Sequence, residues 1–224
     1  MKPLKHTLIS DGPTDVNLIP IINWTLKQVA DISLVEGIRA EFWRLPCIPD
    51  SLENRICKAI ELFPCDVLFI HRDAERESLE KRDAEIRAAF ANASGLGCTL
   101  PAVAIVPIRM TEAWLLFDES AIRKAAGNPH GQVALNLPQL NRLESRPDPK
   151  KELQRALRIA SELTGRRLKK FNTTQAFWRI VDFLDDFSPL RQLPAYSAFE
   201  NAVYRMNINN WKEGFYGLDQ SADN

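Results

Sequence analysis

Two rhythms of apolar and polar residues divide the chain. Over about the first 120 residues, short apolar runs alternate with stretches in which apolar residues recur every three or four positions. Residues 4–10 read as a strand, and 16–30 as a helix with Val16, Ile19, Ile22, Leu26 and Val29 on one face. Residues 38–45 alternate in the manner of a second strand, and 51–62 are helical through Leu52, Ile56, Ala59 and Ile60. Val67, Leu68, Phe69 and Ile70 form a wholly apolar run, the mark of a strand covered on both faces. A long charged helix over 75–93 turns Leu79, Ile86 and Phe90 inward, and 102–106 is another short apolar strand. Strands alternating with helices predict βαβ units: an α/β fold with a mainly parallel sheet and helices on both faces.

Beyond Thr111 helical spacing takes over, with helices expected over 112–117, 120–126, 150–163, 174–187 and 196–204. Residues 127–149, rich in Pro and Asn, read as a long surface loop with rigid corners at Pro138, Pro147 and Pro149. The expected organisation is an α/β domain over 1–126, that loop, and a helical C-terminal region over 150–206 packed on the α/β domain. A tail over 207–224 carries Trp211, Phe215 and Tyr216 before a frayed end.

Composition narrows the class. The chain has 224 residues, 45% hydrophobic and 26% charged, enough to bury a core and unlike a fibrous or disordered protein. No apolar run approaches the roughly 18 residues of a membrane span, and the N-terminal apolar stretch is too short for a signal peptide. Cys47, Cys57, Cys65 and Cys98 show no C-x-x-C spacing, which argues against a zinc or redox motif; the expected location is a reducing cytoplasm. The 29 basic and 29 acidic residues cancel, so no global field marks a nucleic-acid or membrane binder. The cancellation hides an asymmetry. Residues 61–85 hold eight acids to four bases, whereas 142–170 hold ten bases to four acids. That succession suits a metal site beside a polyanion track; two solvated helices look the same, and charge alone favours them.

In an open parallel sheet, ligands bind outside the carboxyl ends of the strands. The first strand is followed by Asp11, Gly12, Pro13, Thr14 and Asp15, the apolar 67–70 strand by His71, Arg72, Asp73, Ala74 and Glu75. Arg109, Met110, Thr111 and Glu112 come just after the 102–106 strand. Acids delivered by three strand ends repel one another unless a cation sits among them. Oxygen ligands imply Mg²⁺ or Mn²⁺, and a nitrogen from His71 suits Mn²⁺ better. Each residue also has a structural use. Thr14 is suited to capping a helix, Asp15 to its first turn, Asp11 to a Gly-Pro turn, and Glu75 to the surface. His71 is either a ligand or a hydrogen-bonded neutral histidine, and Glu112 stands out as a carboxylate in an otherwise apolar helix.

These residues, in this order, resemble the TOPRIM family. Strand followed by Asp11-Gly12-Pro13-Thr14-Asp15 looks like that fold's first motif, and His71-Arg72-Asp73 lines up with its Asp-x-Asp motif. Glu112-Ala113-Trp114-Leu115-Leu116 is similar to a segment of small stand-alone TOPRIM proteins related to the OLD-family nucleases. The resemblance covers roughly residues 4–118 and, more weakly, 150–170. It implies a Rossmann-like TOPRIM sheet and a divalent-metal site for phosphodiester hydrolysis, with Asp11, Asp15, Asp73 and Glu112 at matching positions. Two metals about 3.5–4 Å apart would suit that chemistry. A downstream lysine stabilises the transition state in those enzymes, and Lys169 or Lys170 matches it.

Two departures stand out: Asp11 replaces the usual Glu, and His71 replaces the first Asp of Asp-x-Asp. The resemblance further implies a prokaryotic cytoplasmic setting in anti-phage defence beside an ATPase partner. Lys150, Lys151, Arg166, Arg167, Lys169 and Lys170 would then contact phosphate, with DNA the expected polymer, no membrane partner, and a homo-oligomer allowed. The competing reading is a catalytically degenerate module that binds a protein partner. A phosphohydrolase acting on a small substrate is the third.

Overall fold

The computed structural model describes residues 3–30, 32–208 and 210–218. Five strands form one all-parallel sheet: β1 (Leu4–Ile9), β2 (Val35–Arg39), β3 (Val67–His71), β4 (Pro101–Ile105) and β5 (Gly214–Tyr216), in the order β2-β1-β3-β4-β5. Every residue of β3 and β4 is buried, which requires cover on both faces. That cover follows from connection handedness. The chain leaves β1 for β2 in one direction through α1 (Leu18–Ala30), then returns past β1 to β3 through α2 (Leu52–Leu62). It continues the same way to β4 through α3 (Leu79–Gly95). Right-handed crossovers running in opposite directions put α1 on one face and α2 with α3 on the other. Accordingly α2 packs on α3, while α1 packs on α8 (Pro194–Ile208).

The chain divides into two compact units, Met1–Val106 with Pro194–Asn224, and Pro107–Leu193. The first contains the whole sheet. The division runs differently from one drawn at 126 and 149, because the chain returns to the sheet after residue 193. The second unit holds α4 (Glu119–Ala125), α5 (Pro149–Ala160), α6 (Gly165–Lys170) and α7 (Thr173–Trp178), joined by 3-10 turns. Its interior is organised by buried Trp114, whose Nε1–H donates to buried Glu144 at 3.2 Å. The long loop after α4 is tied down by Glu162, which accepts from the backbone N–H groups of Gln132 and Val133. Among the described residues no helix is long and apolar enough to cross a membrane.

Several elements differ from the sequence reading. The second strand lies at 35–39 rather than 38–45. Phe42–Arg44 is a 3-10 turn in which Phe42 points in and Trp43 out, so the period-2 alternation outlasts the strand. The helix expected from residue 16 begins at Leu18, after a 3-10 turn over Pro13–Asn17 whose N-cap is Gly12, not Thr14. Pro20 fits the first turn of α1, where its missing N–H has no intrahelical partner to lose. The charged helix begins at Leu79, because Ser78 caps it by accepting from the Lys81 N–H and Glu75 sits at φ 54, outside helical space. The expected helix over 112–117 is a buried 3-10 turn, Thr111–Leu115, and that over 174–187 stops at Trp178. The stretch read as a tail carries the end of α8 and the edge strand β5; residues 219–224, the expected frayed end, lie outside the described residues.

Three features lock the sheet unit. His6 on β1 lies opposite Gly37 on β2, and its buried ring pairs through Nε2 with Asn23 Oδ1 at 2.6 Å. Burial pushes its pKa down to about 4, the Asn23 contact opposing this. On the far edge, buried Asp83 of α3 accepts from the Leu218 N–H at 2.7 Å and from Arg87 at 3.0 Å, holding the chain that leaves β5. Cys57 of α2 and Cys98 form a disulfide with Cα atoms 5.3 Å apart. The two lie 41 positions apart in the chain, so no local spacing motif announces the pair.

Candidate functional site

The strand order places a switch point between β1 and β3, from which the chain departs in opposite directions. Both loops at its carboxyl edge are those singled out for chemistry. His71 ends β3 and is 1% exposed. Its Nδ1 lies 3.2 Å from the Ile105 carbonyl, which also accepts from the Arg72 N–H at 3.2 Å. A carbonyl only accepts, so Nδ1 carries the proton in this contact. The other nitrogen, Nε2, faces two carboxylates: Asp73 Oδ1 at 3.5 Å and Asp15 Oδ2 at 3.7 Å.

Asp15 is buried and its Oδ2 also accepts from the Gly12 N–H at 2.8 Å, closing the 3-10 turn on itself. It therefore combines its structural use with a place beside His71. Asp73, partly exposed, reaches the same nitrogen from two residues beyond His71, at the end of β3. With Nδ1 protonated, two states satisfy the geometry: an imidazolium between two carboxylates, or a neutral ring whose Nε2 lone pair and the carboxylates share a cation. A backbone-bound Nδ1–H that orients a free Nε2 is the usual support for a metal-binding histidine. The donor set of one imidazole nitrogen and two carboxylates fits Mn²⁺, and Mg²⁺ less well. Among the described residues no three such groups form a ready-made cation cluster; the imidazole nitrogen is the point both carboxylates face.

Asp11 has a different role. Its carboxylate receives the Arg72 guanidinium at 2.9 Å and that of Arg55, from α2, at 3.3 Å. Arg39 at the end of β2 donates to the Gly12 carbonyl at 3.2 Å. The first-motif acids thus divide between arginines and histidine. Asp11, Asp15, His71 and Asp73 all belong to the sheet unit, as does exposed Glu75. The arginines around Asp11 were missed in the sequence because Arg39 and Arg55 come from a strand end and a helix remote in the chain.

The remaining candidates belong to the other unit. Glu112 is 5% exposed in its 3-10 turn, and its Oε1 lies 3.5 Å from Lys150 Nζ near the start of α5. Lys151 is paired with Asp148 at 2.8 Å. Arg166, Arg167, Lys169 and Lys170 fall on α6, all exposed. Among the described residues these four make no ion pair, unlike Arg123, Arg146 and Lys151 of the same unit. Charge segregates with the units: the sheet unit holds 14 basic and 19 acidic residues, a net −5, and the other 15 and 10, a net +5. Comparison with family models, curated proteins and solved structures finds no match for this chain.

Proposed function

We propose that this chain is a divalent-metal-dependent nuclease of the TOPRIM type that hydrolyses phosphodiester bonds in DNA. The observation that carries the reading is the convergence of Asp15 and Asp73 on His71 Nε2 at the switch point of a parallel sheet. Asp15, His71 and Asp73 would hold Mn²⁺ or Mg²⁺. The cation would supply activation of water and neutralisation of charge building on the phosphate. The Ile105 carbonyl orients the His71 ring, and the Gly12 N–H fixes one Asp15 oxygen. The unpaired cations of α6 suit backbone phosphates, which they would bind without reading sequence. The family resemblance extends the proposal to anti-phage defence beside an ATPase partner.

One observation favours the second reading, a degenerate module that binds a protein partner. Asp11, a metal-site acid in the resembled family, is held here by Arg55 and Arg72. The experiment that separates the two is cleavage of supercoiled plasmid with Mg²⁺ or Mn²⁺ by the full chain, beside Asp73→Ala and His71→Ala. Metal-dependent nicking that both variants abolish supports the nuclease. No cleavage with either metal, and variants identical to the parent, makes the interaction module the better account.

A further inference from the structure

Beside the Asp15–His71–Asp73 group, at the carboxyl ends of β1 and β2, lies a cleft of about 220 Å³ lined by Ser10, Asp11, Arg39, Phe42, Trp43 and Arg55, among others. We infer that this cleft is a base-binding subsite that seats one unpaired nucleobase of a single-stranded nucleic acid against Trp43. The inference deepens the nuclease reading and rests on it for taking the ligand to be nucleic acid.

Trp43 is 63% exposed and Ile48, beyond it in the same connection, 53%. This exposure is held in place by the fold. Phe42, the preceding residue, is 6% exposed and meets the Phe63 ring edge-on at 6.1 Å, so the turn is anchored while Trp43 is presented outward. Arg44, tied to Glu41 at 2.6 Å, lies 5.0 Å from the Trp43 ring centroid and steadies the ring. An indole presented in this way gives every base a stacking partner, whatever its identity.

The polar groups of the cleft are also preset. Arg39 donates to the Gly12 carbonyl at 3.2 Å and Arg55 to the Pro49 carbonyl at 3.2 Å, so both guanidiniums are held before any ligand arrives. The Asp11 carboxylate can accept from an exocyclic amino group, and the guanidiniums can donate to base carbonyls or a flanking phosphate. Size sets the class of occupant: a drug-sized ligand fills roughly 300–1,000 Å³, so this cleft suits a single base. A base stacked and paired in a duplex has no free face for Trp43. The ligand is therefore a single strand, a frayed end or an extruded nucleotide.

The test is binding by the full chain without divalent cation, read by fluorescence anisotropy of a labelled eight-residue thymidine oligonucleotide. An abasic strand and a duplex of equal length serve as comparisons. Trp43→Ala is expected to weaken thymidine-strand binding by about tenfold or more and to leave abasic-strand binding unchanged, while Trp43→Phe keeps most of the affinity. The single strand is expected to bind more tightly than the duplex. Equal losses on the thymidine and abasic strands, no loss on either, or equal binding of duplex and single strand overturns the inference. The readout needs no cleavage. A Trp43-dependent preference for bases in a protein that never cuts DNA keeps the subsite and removes the nuclease. Metal-dependent cutting indifferent to Trp43 does the reverse.

Discussion

Replacing Gly37 by Ala tests the closest approach in the sheet. A Cβ built on Gly37 meets His6 Nε2 at 2.3 Å, His6 Cε1 at 2.4 Å and Ile19 Cγ2 at 2.8 Å, all inside ordinary contact. The imidazole has little room to yield. Asn23 Oδ1 holds it at 2.6 Å, and the Phe69 ring stands against it at a centroid distance of 5.1 Å. Overpacking a buried site of this kind costs about 1–3 kcal/mol, set against roughly 0.4–1 kcal/mol gained by restricting the unfolded glycine. Turning the ring away to make room gives up the Asn23 hydrogen bond, about another 1 kcal/mol. Gly37→Ala is therefore expected to destabilise the protein by about 1–3 kcal/mol. In a His6→Ala background the closer obstacle is gone and the Ile19 Cγ2 methyl at 2.8 Å remains, so the same change should cost about 1 kcal/mol less than in the parent. The cycle is read by urea unfolding followed by circular dichroism and tryptophan fluorescence, whose coincidence checks that one transition is measured. A coupling of at least about 1 kcal/mol is expected. Additive effects, or a stabilising Gly37→Ala, would refute the packing account.

His6 also predicts a pH dependence. It stays neutral in the fold down to about pH 4, whereas the unfolded chain takes up a proton below pH 6.5, so stability rises with pH between those limits. The loss on acidification should total about 3 kcal/mol, level off below pH 4, and be absent from the stability curve of a His6→Phe variant. Asp83→Ala removes the acceptor of the Leu218 N–H and the partner of Arg87; a cost of about 1–3 kcal/mol and faster amide exchange at residues 215–218 are expected. Unchanged exchange there would mean that β5 is held without Asp83. His71→Asp puts a third carboxylate beside Asp15 and Asp73; its thermal stability should fall below the parent's without metal and recover with millimolar Mg²⁺. A variant as stable as the parent without metal would show that the three carboxylates do not converge.

What could be read from the sequence depended on how far each element's pattern is local. β3 and β4 are short apolar runs because both faces are covered, and α5 shows its apolar stripe with Asp148 capping it. β5 escapes because three residues at a sheet edge, Gly214, Phe215 and Tyr216, carry no period and owe their strand to pairing with β4. α6 escapes because a helix with the single large apolar residue Leu168 has no face to reveal. The turn at Thr111–Leu115 misled because all five residues are buried, which erases the difference between faces from which helical period is judged. At the site, the carboxylates could be placed at strand ends from topology. The arginine partner of Asp11 could not, since Arg55 reaches it from a helix that meets the end of β1 only in the folded sheet.

The histidine changes what the acids can do. Two carboxylates and a third acid at position 71 would hold three negative charges at one buried strand end, and the fold would lean on a cation to keep them together. With His71, one imidazole nitrogen, Nε2, faces both Asp15 and Asp73 where a third carboxylate would otherwise stand. Asp11 has different company: the guanidiniums of Arg72 and Arg55 lie against its carboxylate at 2.9 and 3.3 Å. The edge of the sheet is thereby split into a part where two carboxylates face an imidazole, at His71, and a part where arginines pair with a carboxylate, at Asp11. The second part lines the cleft beneath Trp43, where a base needs fixed hydrogen-bonding groups rather than a free charge.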